Sequence, residues 1–117
     1  MSVNVILEKV LDFSIDIVSF CEELEKNRKF VISRQLLKSG TSIGANVYEA
    51  QFPESREDFI HKMKVAIKEA SETRYWLLLC ERCKNYPEPK SLKNKVDEII
   101  KILSKIILTS KQQIGKK

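Results

Sequence analysis

Apolar residues recur in steps of four and three along nearly the whole chain, which restricts it to packed amphipathic helices. Ile6, Val10, Phe13, Ile17, Phe20 and Leu24 form the first seam. Leu36, Gly40, Ile43, Val47 and Ala50 form the second, and Phe59, Met63, Ala66, Ala70, Thr73, Leu77 and Cys80 the third. The fourth is Leu92, Val96, Ile99, Leu103 and Ile106. Three glycines and three prolines in 117 residues are too few for the many turns of a sandwich or barrel.

Local signals place helices at about residues 4–26, 32–51, 55–84 and 90–111. Ser33 reads as the N-cap of the second. Ser55, with Asp58 three residues on, reads as a capping box opening the third. Phe52-Pro53-Glu54-Ser55 separates those two helices, and Asn85-Tyr86-Pro87-Glu88-Pro89 cannot continue one. The polar tail after Lys111 is expected to fray. The predicted fold is all-α: an antiparallel up-down-up-down four-helix bundle, in a single domain over residues 1–117.

Several function classes fall away. The apolar and charged fractions, 43% and 32%, are those of a globular chain and not of a disordered one. Three cysteines, an odd number, argue against a disulfide framework. The first residues turn charged at Glu8 and Lys9, and the longest apolar run, Tyr75 to Cys80, is far short of the ~20 residues that span a bilayer. The expectation is a cytoplasmic protein with no membrane partner. Cys80-Glu81-Arg82-Cys83 would need further ligands to hold zinc. The only histidine, His61, lies on the same helix about 33 Å from Cys83 at 1.5 Å per residue. A redox CxxC belongs in a βαβ context, which is absent here. His61 has no nucleophile spaced for a triad, and Asp58-Phe59-Ile60-His61 is a single approximation to the paired Glu-x-x-His of a di-metal bundle. These observations predict a non-enzymatic protein with no metal and no cofactor.

Two helices carry more apolar surface than one core needs. Leu7, Leu11, Ile15 and Val18 make a second stripe on the first helix, and Val65, Trp76, Leu79 and Cys83 point away from the third seam. A helix apolar on two faces meets a second partner. A homo-oligomer is expected, with Trp76 as its anchor; the other reading is a scaffold that docks a helical protein.

Charge is polarised along the chain. Residues 90–117 carry net +6 where the whole chain carries +5, and the first helix holds Glu8, Asp12, Asp16, Glu22, Glu23 and Glu25 against Lys9 and Lys26. Lys90, Lys93, Lys101, Lys105 and Lys111 fall on the solvent side of the fourth helix, with Arg28 and Lys29 as a second patch. Such residues either form a solvated face paired with the acidic first helix or contact the phosphates of RNA or DNA.

Gly40-Thr41-Ser42-Ile43-Gly44 is a small-residue run that lets two helix backbones approach closely. A hairpin turning near Phe52-Pro53 sets Arg34 beside Glu69 and Glu72, so an ion pair is expected there, with Asn46 bridging backbone at the helix interface. Ser42, Ile43, Asn46, Val47, Glu49 and Ala50 fit the pattern S-I-x-x-N-I-x-E-[AG], with Val47 in place of Ile. In this the chain resembles the four-helix-bundle proteins encoded in intervening sequences of bacterial 23S rRNA genes. Asp58-Phe59-Ile60 and the stretch Ala66 to Glu72 continue the resemblance, which covers most of the chain. It implies an antiparallel bundle assembling into a ring, commonly a pentamer. It also implies kinship with the nucleic-acid-binding accessory protein of diversity-generating retroelements, and no enzymatic activity.

Overall fold

The computed structural model describes residues 3–115, with side chains from Val5 to Ile114. Four helices follow one another: α1 (Val3–Lys26), α2 (Phe30–Glu49), α3 (Arg56–Arg82) and α4 (Leu92–Gly115). α4 runs past Lys111, and Lys116 and Lys117 lie outside the described residues. Each helix packs on its two neighbours in a closed square, α1 on α2 and α4, and α3 on α2 and α4. Cross-helix pairs give the directions. Lys9 reaches Glu98 while Asp16 reaches Lys95, and Arg74 reaches Asp97 while Glu81 reaches Lys93, so α4 runs antiparallel to both α1 and α3. Gly44 lies by Val10 and Gly40 by Ile17, which makes α1 and α2 antiparallel. The bundle is therefore up-down-up-down, 54 × 21 × 20 Å.

The four seams meet in one core in which Ile6, Val10, Phe13, Ile17, Leu36, Ile43, Met63, Leu77, Ile99 and Leu103 are almost wholly buried. Two expected seam positions shift by one residue. Ile60 and Ile107 are buried, while Phe59 and Ile106 are half-buried. A strict four-three seam repeats every 3.5 residues, whereas a straight helix turns every 3.6 and drifts ~20° per heptad, which carries the buried stripe of α4 forward from Ile106 to Ile107. The same drift does not account for Ile60.

The start of α2 corrects the sequence reading. Its N-cap is Lys29, with no side-chain cap, and Ser33 is a buried residue inside the helix. The turn from α1 is too tight to leave room for a later start. Asn27, Arg28 and Lys29 donate backbone bonds to Glu23, Glu25 and Leu24, and Arg28 takes φ 61°, so the chain reverses at once. Ser33 Oγ lies 3.2 Å from Cys21 O and 3.0 Å from Glu25 Oε2, sharing its proton between two acceptors on α1. α3 opens as expected on Ser55, whose hydroxyl accepts from Asp58 N at 3.0 Å. The Asp58 carboxylate turns back to Glu54 N at 3.1 Å, one residue before the cap. α3 ends at Arg82, capped by Cys83, because Cys83 turns to extended backbone.

The register of α2 against α3 also differs from expectation. Thr73 Oγ1 and Ser39 Oγ are hydrogen-bonded at 2.9 Å inside the core, while Thr73 Oγ1 also lies 2.8 Å from Glu69 O; the contact brings Arg34 level with Leu78 and beyond Glu69 and Glu72. Arg34 is exposed and takes no part in the ion pairs of the described residues. Glu72 instead accepts from Trp76 Nε1 at 3.1 Å within α3. Asn46 donates to Ser42 O at 2.8 Å, one turn back in its own helix, and so does not bridge helices. Glu49 is exposed at the end of α2.

Burial raises the thiol pKa of Cys21 and of Cys80, each to about 11 from an ordinary 9.0. The unfolded chain then sheds these protons before the folded one does. Their contribution to stability is complete below pH 9 and is lost as pH rises toward about 11. The melting temperature is expected to fall across that interval, and to fall less in a Cys21→Ala/Cys80→Ala variant.

Candidate nucleic-acid interface

The basic residues expected to share one face divide between the two ends of the bundle. At one end, α1 turns into α2 and α3 connects to α4. Lys90 lies here, ahead of α4 and not on it, with φ 51°. Lys93 pairs with Glu81 at 3.0 Å and Lys95 with Asp16 at 2.6 Å. Lys29 sits 4.8 Å from the centre of the Tyr86 ring in a cation–π contact. A shallow cleft at this end is lined by Lys90 and Lys95 but also by Asp16 and Glu23. The field there is mixed, and of the expected cations only Arg28 and Lys90 remain exposed and outside such pairs.

At the other end, where α3 begins and α4 finishes, lysines gather beyond the acidic first turn of α3, which carries Glu57 and Asp58. No Asp or Glu occurs from Phe59 to Lys68 or from Ile99 to Lys117. The antiparallel register set by Arg74–Asp97 and Glu81–Lys93 lays the first run beside the last turns of α4, with Lys101 further along, level with about Glu72. Lys64, Lys68, Lys101, Lys105 and Lys111 are all exposed, and none belongs to the four ion pairs of the described residues. Lys64 and Lys111 come together across the α3–α4 boundary. Hydrogen bonding to Lys111 and repulsion from its charge lower the Lys64 pKa. Two like charges this near repel each other, and a bound anion would offset that repulsion. Lys64 and Lys68 are missing from the sequence-based set. The signal that finds them is the pair of acid-free runs, not the spacing of lysines on one helix.

The chain matches the family described as 23S rRNA-intervening sequence protein over residues 3–105. It belongs to that family. No curated protein matches it. Among solved structures it is similar to a protein of unknown function from the S23 ribosomal protein family of Bacteroides thetaiotaomicron. The two are 45% identical with a TM-score of 0.83, over 87% of this chain and 97% of that one.

The apolar surplus of this 23S rRNA-intervening sequence protein separates into two unlike parts. On α1, Leu11, Ile15 and Val18 are 44%, 58% and 42% exposed, while Leu7 packs partly on the core. Leu37 and Tyr48 of α2 are exposed as well, and in the α1–α2 register they come level with about Val18 and Leu7. On α3, Val65, Trp76, Leu79 and Cys83 are only half-buried or better covered, and Trp76 packs against its own core. The Trp76 ring meets Tyr75 edge-on at 5.2 Å between centroids and its N–H is bonded to Glu72. Trp76 is thus partly committed within the bundle, and the open apolar face is that of α1 and α2. Within the described residues, no helix is long and apolar enough to cross a membrane.

Proposed function

We propose that this protein is a non-enzymatic, homo-oligomeric bundle that binds structured RNA or DNA through the phosphate backbone, using the α3–α4 end. The observation that carries the proposal is that Lys64, Lys68, Lys101, Lys105 and Lys111 are all exposed on the adjoining helices α3 and α4 and stand outside the ion pairs of the described residues. Lysines that neutralise phosphates release condensed counterions, so a modest number of them gives measurable, salt-sensitive affinity. Point charges on lysine stems read no base edges, so preference follows shape and charge. The exposed Leu11, Ile15, Val18, Leu37 and Tyr48 supply the contact between copies. A ring, commonly a pentamer in proteins of this kind, would repeat the basic end about its axis and convert weak contacts into avidity.

That same apolar face supports a second reading, a scaffold that docks a helical protein and has no affinity for nucleic acid. Filter retention of a structured RNA at low and at raised salt separates the two. The first reading expects retention that salt removes; absence of retention at low salt leaves the scaffold.

A further inference from the structure

A groove of about 390 Å³ opens between the start of α3 and the far end of α4. Its lining combines three kinds of group. Phe59, Ile102 and Ile106 give it an apolar body, and all three are half-buried side chains packed on the core. Thr109, Ser110 and Gln113 bring hydroxyl and amide groups that both donate and accept. Arg56 and Lys105 supply two cations, and no acidic residue lines it. The pairing of Lys9 with Glu98 sets Val3 level with Ser104, so the last turns of α4 pass beyond the described start of α1. A second cleft, between α1 and α4, is lined by Asp12, Asp16 and Glu98 together with Lys9 and Lys95, and both of these lysines are already paired, with Glu98 and Asp16, so it offers an anion no free cation.

We infer that the groove receives one unpaired nucleotide of the bound RNA strand. The base lies against Phe59, Ile102 and Ile106, its edge meets Thr109, Ser110 and Gln113, and its phosphate meets Arg56 and Lys105. This rests on the proposed nucleic-acid binding and makes it more specific. Three arguments carry it. The groove is continuous with the basic end, because Lys105 belongs to both. Its volume lies within the ~300–1,000 Å³ of small-ligand sites and admits a single nucleoside but not a duplex. Its chemistry, a face for stacking beside cations, is that used to hold unpaired bases.

The test compares two RNAs with equal numbers of phosphates, a hairpin with an unpaired loop and a blunt duplex, on the wild-type protein and on Thr109→Leu/Gln113→Leu. Both substitutions are at exposed positions, keep the net charge, and replace two of the hydrogen-bonding groups with apolar bulk. The wild type is expected to prefer the hairpin by roughly tenfold, the scale of one stacked base. The double variant should lose that preference and keep its affinity for the duplex. Equal affinities in the wild type, or a preference that survives the double variant, overturn the inference and leave charge-based binding standing. Failure of both RNAs to bind overturns the proposed function itself. Free adenosine monophosphate forms a separate arm. Shifts of the Thr109 and Gln113 amides with the free nucleotide, together with hairpin preference, support the site. The same shifts without hairpin preference assign the groove to a free nucleotide and overturn the strand.

Discussion

Gly40→Leu is expected to cost on the order of 3 kcal/mol or more and to lower the melting temperature by about 12 °C or more. A Cβ at Gly40 would stand 2.8 Å from Ile17 Cγ2 and 2.9 Å from Ile17 Cγ1, closer than two carbons can sit. Ile17 is fully buried and branched at Cβ, so in a helix it has one strongly preferred χ1 and cannot swing aside. Relief must come from separating α1 and α2, which opens the core beneath them. Gly44 is the internal control. A Cβ there meets Ser14 Oγ at 3.2 Å, a hydroxyl on a single rotatable bond, and Val10 O at 3.4 Å. Gly44→Ala should therefore be close to neutral, since the ~1 kcal/mol gain in helix propensity offsets a small adjustment. Thermal melts of the two variants check both statements. If Gly40→Leu melts with the wild type, α1 and α2 do not approach each other as closely as Gly40 and Ile17 require.

Charge reversal at the basic end should produce the largest functional change. Lys101→Glu with Lys105→Glu converts two exposed cations into anions on a helix that has no acid after Glu98. Affinity for structured RNA is expected to fall by about a hundredfold at low salt. The salt slope should flatten by roughly 1.5, since each phosphate neutralised by a lysine adds ~0.7–0.9 to it. Neither residue belongs to the core or to an ion pair, so assembly and melting temperature should stay near wild type. The same reversal at Arg28 and Lys90, at the opposite end, should have a much smaller effect. Binding isotherms across a salt series measure both. Equal losses of affinity at the two ends would show that net charge alone governs binding.

The four helices are legible in the sequence because burying one face of a helix imposes a period that residues such as Ile6, Val10 and Phe13 display directly. The close approach at Gly40 is legible for a similar reason, since two glycines inside a helix are costly unless a neighbour comes near. The α2–α3 register is not. It depends on how far the chain runs before reversing, and a single core bond between Thr73 and Ser39 places Arg34 away from Glu69 and Glu72. Ser33 misleads because a serine favours a cap and a buried helix-to-helix bond by the same chemistry, and only the tight turn at Arg28 decides between them. The basic end is half legible: Lys101, Lys105 and Lys111 stand out on one helix, but Lys64 and Lys68 join them only through packing. The groove at Phe59 and Ile106 is invisible along the chain, since its lining comes from two helices that only packing brings together.

Backbone amide shifts of labelled protein titrated with a structured RNA test the central claim most directly, because they report where the RNA sits and not only that it binds. Shifts are expected around Lys64, Lys68, Lys101, Lys105 and Lys111, with Arg28, Lys29 and Lys90 unmoved. Shifts confined to the Arg28–Lys90 end, or to the exposed face of Leu11, Ile15 and Val18, would contradict it.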